Sequence, residues 1–181
     1  MKHIKSRSSP AVHIPRLAAG GLALALGLAA CSKGPPPPPC PVVVPVADAA
    51  QMVRFNGDGH DLTDVVFEAR IQGYALTCEY DDDVIDGQMT LSLLAVRGPS
   101  DQERIARVGY FVAVATRDQQ IAAREEFELE IPFEGNRSRV IAVDEVAPRI
   151  PLKAGESGDD YVIYIGLIVT PEELQYNRQN R

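Results

Sequence analysis

The side chains best equipped for chemistry in this chain are carboxylates. Glu79, Asp81, Asp82, Asp83 and Asp86 crowd one stretch, Asp58, Asp61 and Asp64 a second, and Asp159 with Asp160 a third. A hard cation such as Ca²⁺ takes about six to eight oxygen ligands, which clustered loop aspartates can supply. Asp81, Asp82 and Asp83 are therefore the candidate metal ligands, although the D-x-D-x-D-G spacing of an EF-hand loop is missing. The same region is the candidate for a carboxylate pair in hydrolysis of a glycoside. Against that stands the absence of any Trp to stack a sugar. His60 lies in the turn-rich run Asn56-Gly57-Asp58-Gly59-His60-Asp61 and reads as a solvated loop residue. No G-x-S-x-G, no S-x-x-K and no glycine-rich phosphate loop is present, so no catalytic residue and no cofactor is assigned. The 181 residues carry 18 Lys and Arg against 25 Asp and Glu, a net charge of −7. Such a balance excludes the cationic footprint that nucleic acid requires.

The cysteines carry a different chemistry, and the first belongs to an export signal. Residues 1–30 hold Lys2, Lys5, Arg7 and Arg16 and no acid, followed by an apolar run from Leu17 to Ala30. That run is shorter than the roughly 20 residues a membrane-spanning helix needs and fits a secretory h-region. Leu28-Ala29-Ala30-Cys31 resembles the lipobox of bacterial lipoproteins, in which the Cys31 thiol receives a diacylglyceryl group before cleavage. An ordinary signal with a small-residue cleavage end is the alternative. Ser32, in place of an inner-membrane retention Asp, favours a lipid anchor in the outer membrane facing the periplasm. The inner membrane and the cell surface stay open. Pro35 to Pro39 then form an extended spacer of polyproline type. Removing four of the 18 basic residues with the signal leaves 14 against 25 acidic, so the exported part carries −11.

With Cys31 lipidated, Cys40 and Cys78 remain. No C-x-x-C occurs, and one histidine cannot complete a zinc site with two thiols. In an oxidising compartment the pair is expected to form a disulfide, with two free thiols as the alternative. The chain thus divides into a lipoprotein signal peptide (1–30), a lipidated, proline-rich tether (31–46) and a globular domain (47–181).

The domain is written mostly in period two. Val65, Phe67, Ala69 and Ile71 alternate with Glu68, Arg70 and Gln72, and Tyr74 to Tyr80 follow Gly73, a bulge or bend. Met89, Leu91 and Leu93 repeat the pattern, and so do Phe127, Leu129 and Ile131 between glutamates. Gly109–Thr116, Val140–Val143 and Tyr161–Val169 are apolar on both faces and predict central strands. Turns are expected at Asp86-Gly87, Gly98-Pro99, Gly135-Asn136 and Glu156-Ser157-Gly158. Ala47–Val53 predicts one or two helical turns. Thr170-Pro171-Glu172-Glu173 predicts a capped C-terminal helix ending at Tyr176 or Asn177. Six to eight strands without a long helix indicate an all-β, antiparallel β-sandwich of immunoglobulin-like type, with a barrel as the alternative.

The exported part resembles an uncharacterised family of alphaproteobacterial lipoproteins. The resemblance rests on Cys40-Pro41 with Ala47-Asp48-Ala49, Asp61-Leu62-Thr63-Asp64-Val65-Val66, Cys78-Glu79-Tyr80-Asp81, Tyr110-Phe111-Val112, Ser157-Gly158-Asp159-Asp160-Tyr161 and Thr170-Pro171-Glu172-Glu173-Leu174 with Tyr176-Asn177-Arg178. It implies an envelope lipoprotein and brings no activity with it. Two functions follow as expectations. One is a non-catalytic binding or assembly module that meets an envelope protein, by strand addition at a sheet edge or through a C-terminal tip at Tyr176-Asn177-Arg178. The other is a cation-binding or hydrolytic domain working through Asp81–Asp83.

Overall fold

The computed structural model describes residues 37–57 and 59–180. The signal peptide, Cys31 and Asp58 lie outside the described residues. Two sheets pack face to face. One has the order β1 (Val42–Pro45), β9 (Tyr161–Leu167), β5 (Ile105–Thr116), β6 (Ile121–Pro132). The other runs β2 (Gln51–Phe55), β3 (Val65–Asp81), β4 (Val84–Arg97), β7 (Arg139–Val146), with β8 (Arg149–Pro151) also on β4. One helix, α1 (Pro171–Gln179), closes the chain. All pairings are antiparallel except β1 with β9, which is parallel.

Alternation places the core. Phe67, Ala69, Met89, Leu91, Leu93 and Ile85 from one sheet meet Val108, Tyr110, Ile131, Ile163 and Ile165 from the other, all buried. Glu126, Glu128 and Glu130 point outward from β6, and two of them pair with arginines along the surface, Glu126 with Arg124 at 2.8 Å and Glu130 with Arg107 at 3.0 Å. Such exposed pairs add little to stability, because water screens them.

Several local expectations are corrected. Asp86-Gly87 is not a turn but part of β4, because the reversal comes earlier, at Asp82-Asp83 between the paired Asp81 and Val84. Asp82 takes a positive φ of 40°, which aspartate tolerates through its short polar side chain. Ala47–Val53 holds only a short 3-10 turn, Ala47–Ala49, before β2 begins at Gln51. Gln51 and Met52 pair with Arg70 and Ala69, so sheet hydrogen bonds displace the weak local helix preference. Val42–Pro45, counted with the tether, belong to the sheet as β1. The helix α1 runs to Gln179, two or three residues past the expected end at Tyr176 or Asn177. Val140–Val143 is an edge strand rather than a central one.

The other two doubly apolar runs are central, and their outer faces are covered. Phe111 and Ala113 of β5 turn away from the main core and pack beneath Ala49 in a second small cluster. Gly166 on β9 leaves the room: a Cβ there would stand 2.7 Å from the Phe111 ring. Arg124 lies over the same ring, 4.0 Å from its centre.

Two tyrosine hydroxyls tie loops and sheets together. Tyr110, wholly buried, donates to Asp144 Oδ2 across the sandwich at 2.7 Å, and burial with that bond raises its pKa. Tyr161 donates to Glu156 Oε2 at 2.6 Å, which pushes its hydroxyl up to about 12 and holds the Glu156 carboxyl below its usual range. For a phenol raised by folding, the stabilisation is complete below the unfolded value of about 10 and is lost as pH climbs through the folded one. Unfolding midpoints in urea should therefore fall between pH 10 and about 12, and Tyr161→Phe should flatten that decline.

Candidate functional site

The residues expected to do chemistry do not converge; most of them shape the backbone. Asp82 and Asp83 are the exposed tip of the β3–β4 hairpin, and Asp81 precedes them on its rim. The Asp83 carbonyl accepts a hydrogen bond from Leu152 N at 2.6 Å. Glu79 and Asp86 face each other across the same hairpin, and Asp86 pairs with Arg149 at 2.9 Å. In the second acidic group, Asp64 Oδ2 accepts from the Asp61 backbone at 3.3 Å, closing the 3-10 turn Leu62–Asp64. In the third, Asp160 Oδ2 accepts from Ser157 N at 2.8 Å and opens the turn Gly158–Asp160. Among the described residues, no three His, Cys, Asp or Glu side chains are placed to hold a metal ion.

His60 is exposed and belongs to a small aromatic group. Its ring meets Phe55 edge-on at 4.9 Å between centres, and Phe55 in turn meets Tyr176 at 5.2 Å. The three rings border a cleft of about 160 Å³, with Thr170 and Glu172 on its rim. No sequence spacing announces this group, because its members come from β2, a loop and α1. A wider groove, about 520 Å³, lies along the outer face of the second sheet, bordered by Ala75, Thr77, Gln88, Thr90 and Glu145. Its lining holds one ionisable side chain.

The C-terminal Tyr176-Asn177-Arg178 is built into the fold and is not a free tip. Asn177, 2% exposed, donates through Nδ2 to the Asp48 carbonyl at 2.9 Å and the Gln51 carbonyl at 2.6 Å. Arg178 pairs with Asp48 at 2.8 Å. Glu173 completes the expected capping box, accepting from Thr170 N at 2.8 Å while its own N–H donates to Thr170 Oγ1 at 3.2 Å. The same carboxylate binds Arg54 of β2 at 2.7 Å, so a capping residue also docks the helix. Sequence reasoning missed Asp101. Its carboxylate is buried, pairs with Arg97 at 2.5 Å and accepts from the N–H groups of Glu103 and Arg104. The i, i+4 spacing of Arg97 and Asp101 across Gly98-Pro99 was the available signal.

The best-defined arrangement sits where the chain enters the domain. Cys40 and Cys78 form a disulfide with their Cα atoms 5.7 Å apart. Two residues further along β3, Tyr80 donates to the Pro39 carbonyl at 2.6 Å and accepts from Gly158 N at 2.7 Å. Gly158 is required for this approach, since a Cβ would stand 2.1 Å from the Pro39 oxygen and 2.8 Å from the Tyr80 hydroxyl. One covalent and two hydrogen bonds thus fix Pro39 and Cys40 to β3 and to the turn before β9. The arrangement constrains chain geometry and holds no free nucleophile.

Mass analysis of the intact chain without reductant should find Cys40 joined to Cys78. Replacing both by Ser should lower the unfolding free energy in urea by on the order of 4 kcal/mol, the loop-closure contribution for this spacing. Gly158→Ala should cost on the order of 2 kcal/mol by displacing Pro39. Gly73→Ala, where an added Cβ meets nothing within 4 Å, should be close to neutral on the same scale. Comparison with protein-family models, with curated proteins and with solved structures finds no match for this chain.

Proposed function

We propose that this chain is a lipid-anchored cell-envelope protein whose β-domain is a non-catalytic binding or assembly module for an envelope protein. In this reading Cys31 carries the acyl chains, the proline run spaces the domain from the membrane, and the outer membrane's periplasmic face is its place. The observation that carries the reading is the use made of the carboxylates. Asp81–Asp83, Asp61 with Asp64, and Ser157 with Asp160 serve turns and caps, and the first group is splayed on an exposed hairpin tip. The alternative through Asp81–Asp83 needs convergent oxygens, which this placement argues against. The Cys40–Cys78 disulfide supports an oxidising compartment.

The fold is read more finely here as immunoglobulin-like. Supporting this are the parallel pairing of β1 with β9 and the passage of the chain between sheets after β1, β4, β6 and β8. The Cys–Trp–Cys core of immunoglobulin domains is absent, since the chain has no Trp.

Cells expressing the full chain should incorporate labelled palmitate into it and retain it in the membrane fraction. Cys31→Ala should abolish both, and a variant that stays lipidated and sedimenting would overturn the anchor.

A further inference from the structure

We infer that β7 pairs with β7 of a second copy of this chain, antiparallel about a two-fold axis at Ala142. The inference rests on this strand alone and is independent of where the protein resides.

β7 closes its sheet, and no strand among the described residues pairs with its far side, where the Glu145 N–H donates to Asp144 Oδ1 at 2.9 Å. The edges at β2, β6 and β1 are guarded, and the second half of β3, which β2 does not reach, is crosslinked through Cys78 to the entering chain. β2 lies under α1, held by the Arg54–Glu173 pair and by Asn177 on the Gln51 carbonyl. β6 raises the row Glu126, Glu128 and Glu130, and charges on an edge discourage pairing. β1 is four residues long and ends in Pro45. β7 has eight residues and no proline, and Ile141 and Val143 on its outer face are each 58% exposed. Its sequence is that of a central strand, apolar on both faces, placed at an edge.

The pattern is self-complementary in one register. Arg139, Ile141, Val143 and Glu145 share the outer face. Directly opposed residues of an antiparallel pair lie on the same face, so only registers joining odd positions to odd positions keep that face intact. Centred on Ala142, Arg139 meets Glu145 of the second copy and Ile141 meets Val143, each pair occurring twice. A shift by two in one direction sets Ile141 on Ile141 and leaves Arg139 opposite Val143. The opposite shift sets Glu145 against Ile141. Neither matches the charges. Within its own chain neither Arg139 nor Glu145 has an ion-pair partner among the described residues. On the inner face Val140 meets Asp144 of the second copy, while each Asp144 keeps its Tyr110 hydroxyl.

Sedimentation velocity of the full chain as cells process it, in a density-matched nonionic detergent, tests the pairing. The wild-type mass should rise from monomer toward dimer between about 1 and about 200 µM, as a small strand interface predicts. Arg139→Glu sets glutamate against glutamate and Glu145→Arg sets arginine against arginine, so each variant alone should associate about tenfold more weakly or less. Mixed in equal amounts, the two variants carry two complementary pairs and should recover the wild-type curve. Both sites are exposed, and circular dichroism checks that each variant is folded. A wild-type chain monomeric throughout, single variants that dimerise as before, or a mixture that stays monomeric would each overturn the inference. A monomeric chain whose β7 crosslinks to a different protein would overturn it equally.

Discussion

The phase of β3 decides where everything at the entrance of this domain can be. Strand side chains alternate, so a continuous 17-residue strand that turns Val65, Phe67, Ala69 and Ile71 toward the core would turn odd positions inward to its end. The pairing with β4 instead shifts between Ile71 and Gly73, leaving Gln72 as the extra residue. Beyond it Tyr74, Leu76, Cys78 and Tyr80 stand opposite Leu91, Met89, Gly87 and Ile85, on the face turned to the core. That single inserted residue brings the Cys78 thiol and the Tyr80 hydroxyl to the inner side, where Cys40 and Pro39 arrive. With no bulge, both would project from the outer face alongside Glu68 and Arg70.

The two sheets meet unequal demands. In the first, β5 and β9 are flanked on both sides and covered on both faces, by the main core within and by Ala49 with its neighbours outside. In the second, the outer face has no such cover beside β7, and the groove bordered by Thr77, Gln88 and Thr90 runs along it. The short connection Ala47–Ala49 does two things at once. It carries the chain from one sheet to the other, and it supplies the apolar patch over Phe111 and the carbonyl of Asp48 that Asn177 binds.

Alternation made most of the β architecture legible: the runs around Phe67, Leu91 and Leu129 lie in the strands their pattern predicts, and Thr170 to Glu173 caps α1. The cysteine pair was readable from the number of cysteines and from the oxidising compartment that the export signal led one to expect. Patterns that depend on what covers a strand were not readable. Val140–Val143 and Gly109–Thr116 look alike in sequence, yet one is an edge and the other a centre, because only the fold decides whether a second face has a neighbour. Asp86-Gly87 misled for a related reason. Its turn chemistry is real, but the glycine is used to let Pro148 approach: a Cβ there would stand 2.9 Å from the proline ring. The acids around Asp81 looked like ligands because residues that favour turns and residues that bind hard cations are the same residues.

The entrance also sets a path for mechanical load. Tension arriving through the residues before Cys40 passes first into the disulfide, and so into the interior of β3, a strand paired with β4 along almost its whole length. β1 lies just beyond that crosslink, paired in parallel with β9 through four residues. Pulled directly, so short a strand would slide or peel away early. With the crosslink upstream it is shielded, because the load enters β3 before it can reach β1.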